Sequence, residues 1–188
     1  MGMPQTAERW TAERVKALPA DGNRYECVDG ELLVTPAPLP RHQVALQALL
    51  LRLHPYLSEH RLGDALFSPA DIELDAETLV QPDLFVLPPG ESRRLKTWKD
   101  VSRLLLAVEV LSPSSARADR IVKRRRFQRA GVPEYWIVDL DARLIERWRP
   151  RDERPELLSD AVTWQPDPSR PALTLDLAAL FRDILPEA

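Results

Sequence analysis

The chain has 188 residues, enough for one domain with a real core, and its 44% hydrophobic and 29% charged content is globular. A net charge of −3 excludes a polyanion binder that works through overall charge. The single cysteine, Cys27, excludes a disulfide framework and a cysteine-based zinc site.

In chain order, residues 6–17 read as a short helix, closed by Leu18-Pro19-Ala20-Asp21-Gly22. Two strand-like runs, 24–28 and 31–35, flank Asp29-Gly30, a strong hairpin signal. After the rigid Pro36–Pro40 loop, residues 40–59 read as a helix with Val44, Leu46, Leu49, Leu50, Leu53 and Leu57 as its apolar stripe. Pro55 is expected to kink or break it near its end. Residues 70–75 alternate as an extended segment, Glu77-Thr78 reads as a turn, and an apolar run around Asp83 follows. Residues 88–100 read as a polar loop.

The run Leu104-Leu105-Leu106-Ala107-Val108-Glu109-Val110-Leu111 reads as a strand buried on both faces. An ionised carboxylate in it is costly unless it is paired or holds a metal, so Glu109 marks a site. Ser112–Ser115 cap a helix expected over 116–130, stopped by Gly131-Val132-Pro133. Strands follow at 134–139 and 143–148, then a loop rich in Pro, Asp and Arg, then a helix over 177–184. No domain boundary is evident, so residues 1–188 are expected to form one domain. The order of elements predicts an α/β (α+β) sandwich on a mixed sheet.

Side chains alternate along a strand, so Asp83 and Glu109 can meet if their strands are neighbours. Helical spacing puts Lys123 on the face of Phe127 and Ala130, one turn after Asp119. Two carboxylates and a lysine are what a metal-dependent phosphodiesterase site needs, with Mg²⁺ or Mn²⁺ taking oxygen ligands. The competing readings are a structural ion pair between Glu109 and Lys123, and a surface lysine in a basic run. Arg117, Arg120, Arg124 and Arg125 fall in that run and are candidates for phosphate contact.

Pro82-Asp83, Val108-Glu109-Val110-Leu111-Ser112-Pro113-Ser114, Asp119 with Lys123, and Ala130-Gly131-Val132-Pro133-Glu134-Tyr135-Trp136-Ile137-Val138-Asp139 resemble the Uma family of predicted endonucleases. These belong to the restriction-endonuclease-like PD-(D/E)XK superfamily. Tyr25-Glu26-x-x-Asp29-Gly30 and Arg41-His42-Gln43 extend the resemblance over most of the chain. It implies a mixed sheet flanked by helices, Mg²⁺-dependent cleavage of DNA, and metal ligation by Asp83 and Glu109. Glu26 and His42 match further family positions, as an extra acid and as a phosphate contact or proton carrier. The superfamily lysine two residues after the second acid is Leu111 here, and the lysine is expected from the next helix, as Lys123.

The rival reading is a non-catalytic module on the same fold that binds nucleic acid or a protein. A third is a homodimer with a vestigial site. Cutting both strands of a duplex would favour a two-fold dimer. No window is apolar enough to span a membrane, and Met1–Gln5 lacks the charged start of a signal peptide, so the cytoplasm is the expected compartment.

Overall fold

A computed structural model describes residues 9–185. The N-terminal helix, α1, is shorter than expected at Ala12–Lys16, with Thr11 as its cap; residues 6–8 of the expected helix lie outside the described residues. Strands β1 (Arg24–Val28) and β2 (Glu31–Thr35) form the hairpin, paired from Arg24↔Thr35 to Val28↔Glu31. Asp29 and Gly30 have φ of 52° and 84°, and two positive-φ positions match the twist of a two-residue turn.

Helix α2 spans Pro40–His60. Its buried stripe runs through Ala45, Leu49, Leu53 and Tyr56, so Val44 sits off that line and is exposed. The helix continues through Pro55. The carbonyl that loses its partner there is that of Leu51, and both residues face solvent, where water can replace the lost bond.

Six strands make the central sheet, in the order β10 (Glu156–Leu158), β9 (Leu144–Trp148), β8 (Tyr135–Asp139), β7 (Leu106–Val110), β6 (Leu84–Leu87), β3 (Asp64–Phe67). Only β7 and β8 run parallel among these pairs. A four-stranded sheet has the order β2, β1, β5 (Thr78–Val80), β4 (Ile72–Asp75). Thr78 therefore belongs to a strand rather than to the turn expected there. Strands β11 (Ala161–Trp164) and β12 (Leu173–Asp176) pair in the region read as loop, and α4 (Leu177–Ile184) follows. One face of the central sheet packs Leu84, Val86, Val108, Val110 and Trp136 under α2 and α4. The other packs Phe85, Ala107, Tyr135 and Ile137 under the segment that follows β7. The architecture is a mixed α+β sandwich with an N-terminal hairpin.

The segment over that second face is not one α-helix. Residues Ala118–Lys123 form a π-helical turn that passes into α3, Arg124–Arg129. The wider π turn brings positions 119, 123 and 127 onto the sheet side, where Asp119, Lys123 and Phe127 are buried; Ala130 is exposed.

Gly63 joins α2 to β3 with φ of 130°, and a Cβ there would meet the Leu87 carbonyl oxygen at 2.0 Å. Gly63→Ala should therefore destabilise the protein by about 2 kcal/mol. A denaturant midpoint checks this; an unchanged midpoint would mean β3 moves off β6 without cost.

Candidate active site

Register alone brings the two strand acids together. Leu84 pairs with Val108, so Asp83, one step earlier, comes opposite Glu109 at the end of the β6–β7 ladder, on the Phe85 and Ala107 face. The Oδ2 atom of Asp83 accepts a hydrogen bond from the Val110 amide at 2.8 Å and lies 2.9 Å from His42 Nε2. Its Oδ1 atom accepts from Arg24 Nη1 at 2.5 Å.

Lys123 reaches the same place from the π turn. Its Nζ lies 2.8 Å from Glu26 Oε2, 2.9 Å from Glu109 Oε1 and 3.4 Å from Asp119 Oδ1. Glu26 comes from β1 of the smaller sheet, and its Oε1 accepts from the Gln81 amide at 2.7 Å. The site thus sits where the two sheets meet, and Glu26, Asp83, Glu109, Asp119 and Lys123 are each at most 2% exposed. Arg24, on the same strand face as Glu26, is the more open member, with 20% of its side chain exposed.

The structure places Asp83, Glu109, Lys123, Glu26 and His42 in one cluster. It does not place the candidate phosphate-binding arginines there. Arg120 binds Glu146 and Asp139. Arg124 bonds Gln128 and lies over the Trp148 ring at 4.5 Å. Arg125 lines a cleft of about 620 Å³ beside Asp29 and Glu31, and Arg117 is exposed. Sequence reasoning assigned no role to Arg24 or Asp119. The signals were there: Arg24-x-Glu26 puts both on one strand face, and Asp119-x-x-x-Lys123 stacks them one turn apart.

The charges do not balance: four carboxylates meet the two permanent cations Arg24 and Lys123. Burial opposes ionisation of Asp83, but the His42 hydrogen bond and the charges of Arg24 and Lys123 outweigh it and hold its pKa below the ordinary value. Burial raises the pKa of Glu109 well above the usual range; Lys123 opposes this, while Asp83, Asp119 and Glu26 push it further up. Burial also raises Asp119, against Lys123 and a Ser115 hydrogen bond. For Lys123 itself, burial disfavours the charge, but Glu109, Glu26 and Asp119 overcome it and raise its pKa.

These residues fit a hard divalent cation. All the anionic donors are oxygens, negative charge is in excess, and Glu109 Oε2 is buried with no hydrogen-bond partner. Among the described residues no three His, Cys, Asp or Glu side chains form a ready-made metal centre. Lys123 sits between three of the acids and Arg24 occupies one Asp83 oxygen, so an ion would be held by few protein ligands and would keep waters, as Mg²⁺ commonly does.

No curated protein matches the chain. A solved structure, described as a "putative nuclease belonging to DUF820 from Anabaena variabilis ATCC 29413", superposes with a TM-score of 0.71 at 18% identity, covering 94% of this chain and 99% of that one. That likeness shows the restriction-endonuclease-like fold. The Uma2 family, described as "Putative restriction endonuclease", matches residues 12–178. With nearly its whole length matched, the chain belongs to the Uma2 family.

Proposed function

We propose that the chain, acting as one restriction-endonuclease-like domain, is a nuclease that hydrolyses DNA phosphodiester bonds with Mg²⁺ or Mn²⁺. The observation that carries this reading is the unpartnered Oε2 of Glu109, buried beside Lys123 on a nuclease fold. Asp83 and Glu109 would hold the ion, with Glu26 and Asp119 adding negative charge nearby. Bound there, a divalent ion supplies an acidified water and offsets phosphate charge. Lys123 contributes a fixed ammonium, positioned by three carboxylates, that can stabilise charge developing on the phosphate. His42 Nε2 and the Val110 amide fix the orientation of Asp83, and His42 Nδ1 is buried without a partner. Arg24, paired with Asp83 and the most exposed member of the cluster, would be the first of its residues to meet an incoming phosphate.

One observation favours a non-catalytic binding module instead: Lys123 and Arg24 neutralise much of the cluster internally, and no three-ligand centre is preformed among the described residues. A cleavage assay separates the two readings. Purified protein should nick or degrade DNA with Mg²⁺ or Mn²⁺ and fall silent with EDTA, and Asp83→Ala should lower the rate by more than about 100-fold. Absence of cutting with any divalent metal would make the binding module the better reading. Among the described residues no helix is long and apolar enough to cross a membrane.

A further inference from the structure

Folding consumes most of the arginine run of 117–129 and leaves only Arg117 and Arg125 exposed without a side-chain partner among the described residues. Arg126 binds Asp75, and Arg129 binds Asp29, as Arg120 and Arg124 are bound elsewhere. The connection between β6 and β7 behaves differently. Arg93, Arg94, Lys96, Lys99 and Arg103 are all exposed along it. The side chains of Arg93, Arg94, Lys96 and Arg103 bond no described residue. The acids of the same segment are used internally: Glu91 Oε1 accepts from the Ser102 amide and hydroxyl at 2.7 and 2.9 Å, and Asp100 caps Thr97.

This connection folds back over the site face of the sheet. Leu95, Trp98 and Val101 pack on the cluster that contains Phe85 and Ala107, and the Trp98 ring meets Phe85 edge-on at 5.8 Å. Between it and residues of α1, β3 and the turn before β4 lies a cleft of about 450 Å³, with Trp98, Leu66 and Leu95 as apolar wall and Lys16, Lys96 and Lys99 in its lining. Its one lining carboxylate, Asp71, accepts a hydrogen bond from Gln81 Nε2 at 2.8 Å. Gln81 also joins the cleft to the ion cluster: its amide donates to Glu26 Oε1, and its carbonyl accepts from Arg24 Nη1 at 3.3 Å. One residue, Gln81, therefore links the rim of the cleft through its side chain to the cluster through its main chain.

We propose that this cleft seats a single nucleic-acid strand flanking the phosphodiester to be cut. The inference rests on the nuclease reading for what is cut, but not for what is bound. An aromatic and apolar wall suits an unstacked base, and ammonium groups beside it suit the phosphates on either side. Lys16 is paired with Glu73 and Lys99 lies by Asp100, but the Lys96 side chain bonds no described residue and, with the exposed Arg93, Arg94 and Arg103 of the same connection, leaves positive charge for an external anion. A duplex keeps its bases stacked inside and offers this wall less.

The test is equilibrium binding of a fluorescently labelled single-stranded oligonucleotide to the full chain in EDTA, where no cutting occurs. Lys96→Glu with Lys99→Glu should weaken binding at least about tenfold and lower the slope of log affinity against log salt by about 1.4, two phosphate contacts' worth. Arg124→Ala with Arg125→Ala should change affinity by less than about threefold. Both lysines are exposed, so the thermal melt should not move. Unchanged affinity, or weakening with an unchanged salt slope, overturns the proposal. Equal weakening on a duplex overturns the single-strand assignment. If Asp83→Ala stops cleavage while the double lysine variant binds as wild type, the nuclease reading stands and the cleft falls. If the lysines control binding but nothing is cut, the cleft stands and the nuclease reading falls.

Discussion

Lys123→Ala should destabilise the metal-free protein by about 4 kcal/mol, because it leaves buried carboxylates without their shared cation. Lys123 is 1% exposed and lies within 3.4 Å of Glu26, Glu109 and Asp119. For a chain of 188 residues this is a fall in melting temperature of roughly 10 °C. The effect should depend on pH in a definite direction. Burial already raises the pKa values of Glu109 and Asp119 against the pull of Lys123, and without the ammonium both rise further. Such groups contribute stability below the unfolded pKa and lose it as pH rises through the folded pKa. The gap between wild type and Lys123→Ala should therefore be widest near neutrality and narrow as pH falls toward about 4. Thermal melts in EDTA at several pH values test this. A loss under about 1 kcal/mol at neutral pH would show that the cluster takes in water and does not depend on the ion pairs.

Much of the fold is legible in the residues because the signals are local. Asp29-Gly30 sets a two-residue hairpin, and the Leu- and Val-rich run around Glu109 reads as the strand buried on both faces that the structure contains. The meeting of Asp83 and Glu109 follows from period-two alternation once their strands are neighbours. Strands β3 and β10 to β12 are not legible for the opposite reason. Asp64–Phe67 is an edge strand paired among the described residues with β6 alone, and Glu156–Leu158 is largely exposed, so tertiary pairing rather than pattern makes them strands.

The site is legible in its acids and lysine, and less so in what joins them. The i,i+4 spacing already puts Asp119 and Lys123 on one face, but the π turn over 118–123 itself leaves no sequence mark. Arg24 and Gln81 act through contacts with residues 59 and 55 positions away, and no local rule finds such partners. The basic run of 117–129 misleads because charge density says nothing about which arginines folding consumes. Arg120 and Arg126 find carboxylates on β9 and β4, whereas the cations of 93–103 lie in a stretch that reads only as a polar loop.

Glu109→Gln should separate function from folding. In EDTA the variant should be as stable as wild type or more stable by about 1 kcal/mol, since replacing a buried charge of an over-acidic cluster relieves desolvation. Lys123 keeps Glu26 at 2.8 Å and Asp119 at 3.4 Å, so it is not orphaned. The gain should grow with pH. Burial, then the neighbouring acids, raise Glu109 well above its ordinary value against the pull of Lys123. Its contribution to wild-type stability is therefore complete below roughly pH 4.3 and fades as pH rises through the folded value. Glutamine, which does not titrate, removes that decline. Titration calorimetry with Mn²⁺ should meanwhile show affinity reduced by more than about 100-fold, with cleavage lost in proportion. Wild-type affinity should rise with pH, because burial and the neighbouring acids favour the protonated form of Glu109 while the ion needs the carboxylate. A variant that melts several degrees lower in EDTA yet binds Mn²⁺ normally would assign Glu109 to a structural ion pair and remove it from the metal site.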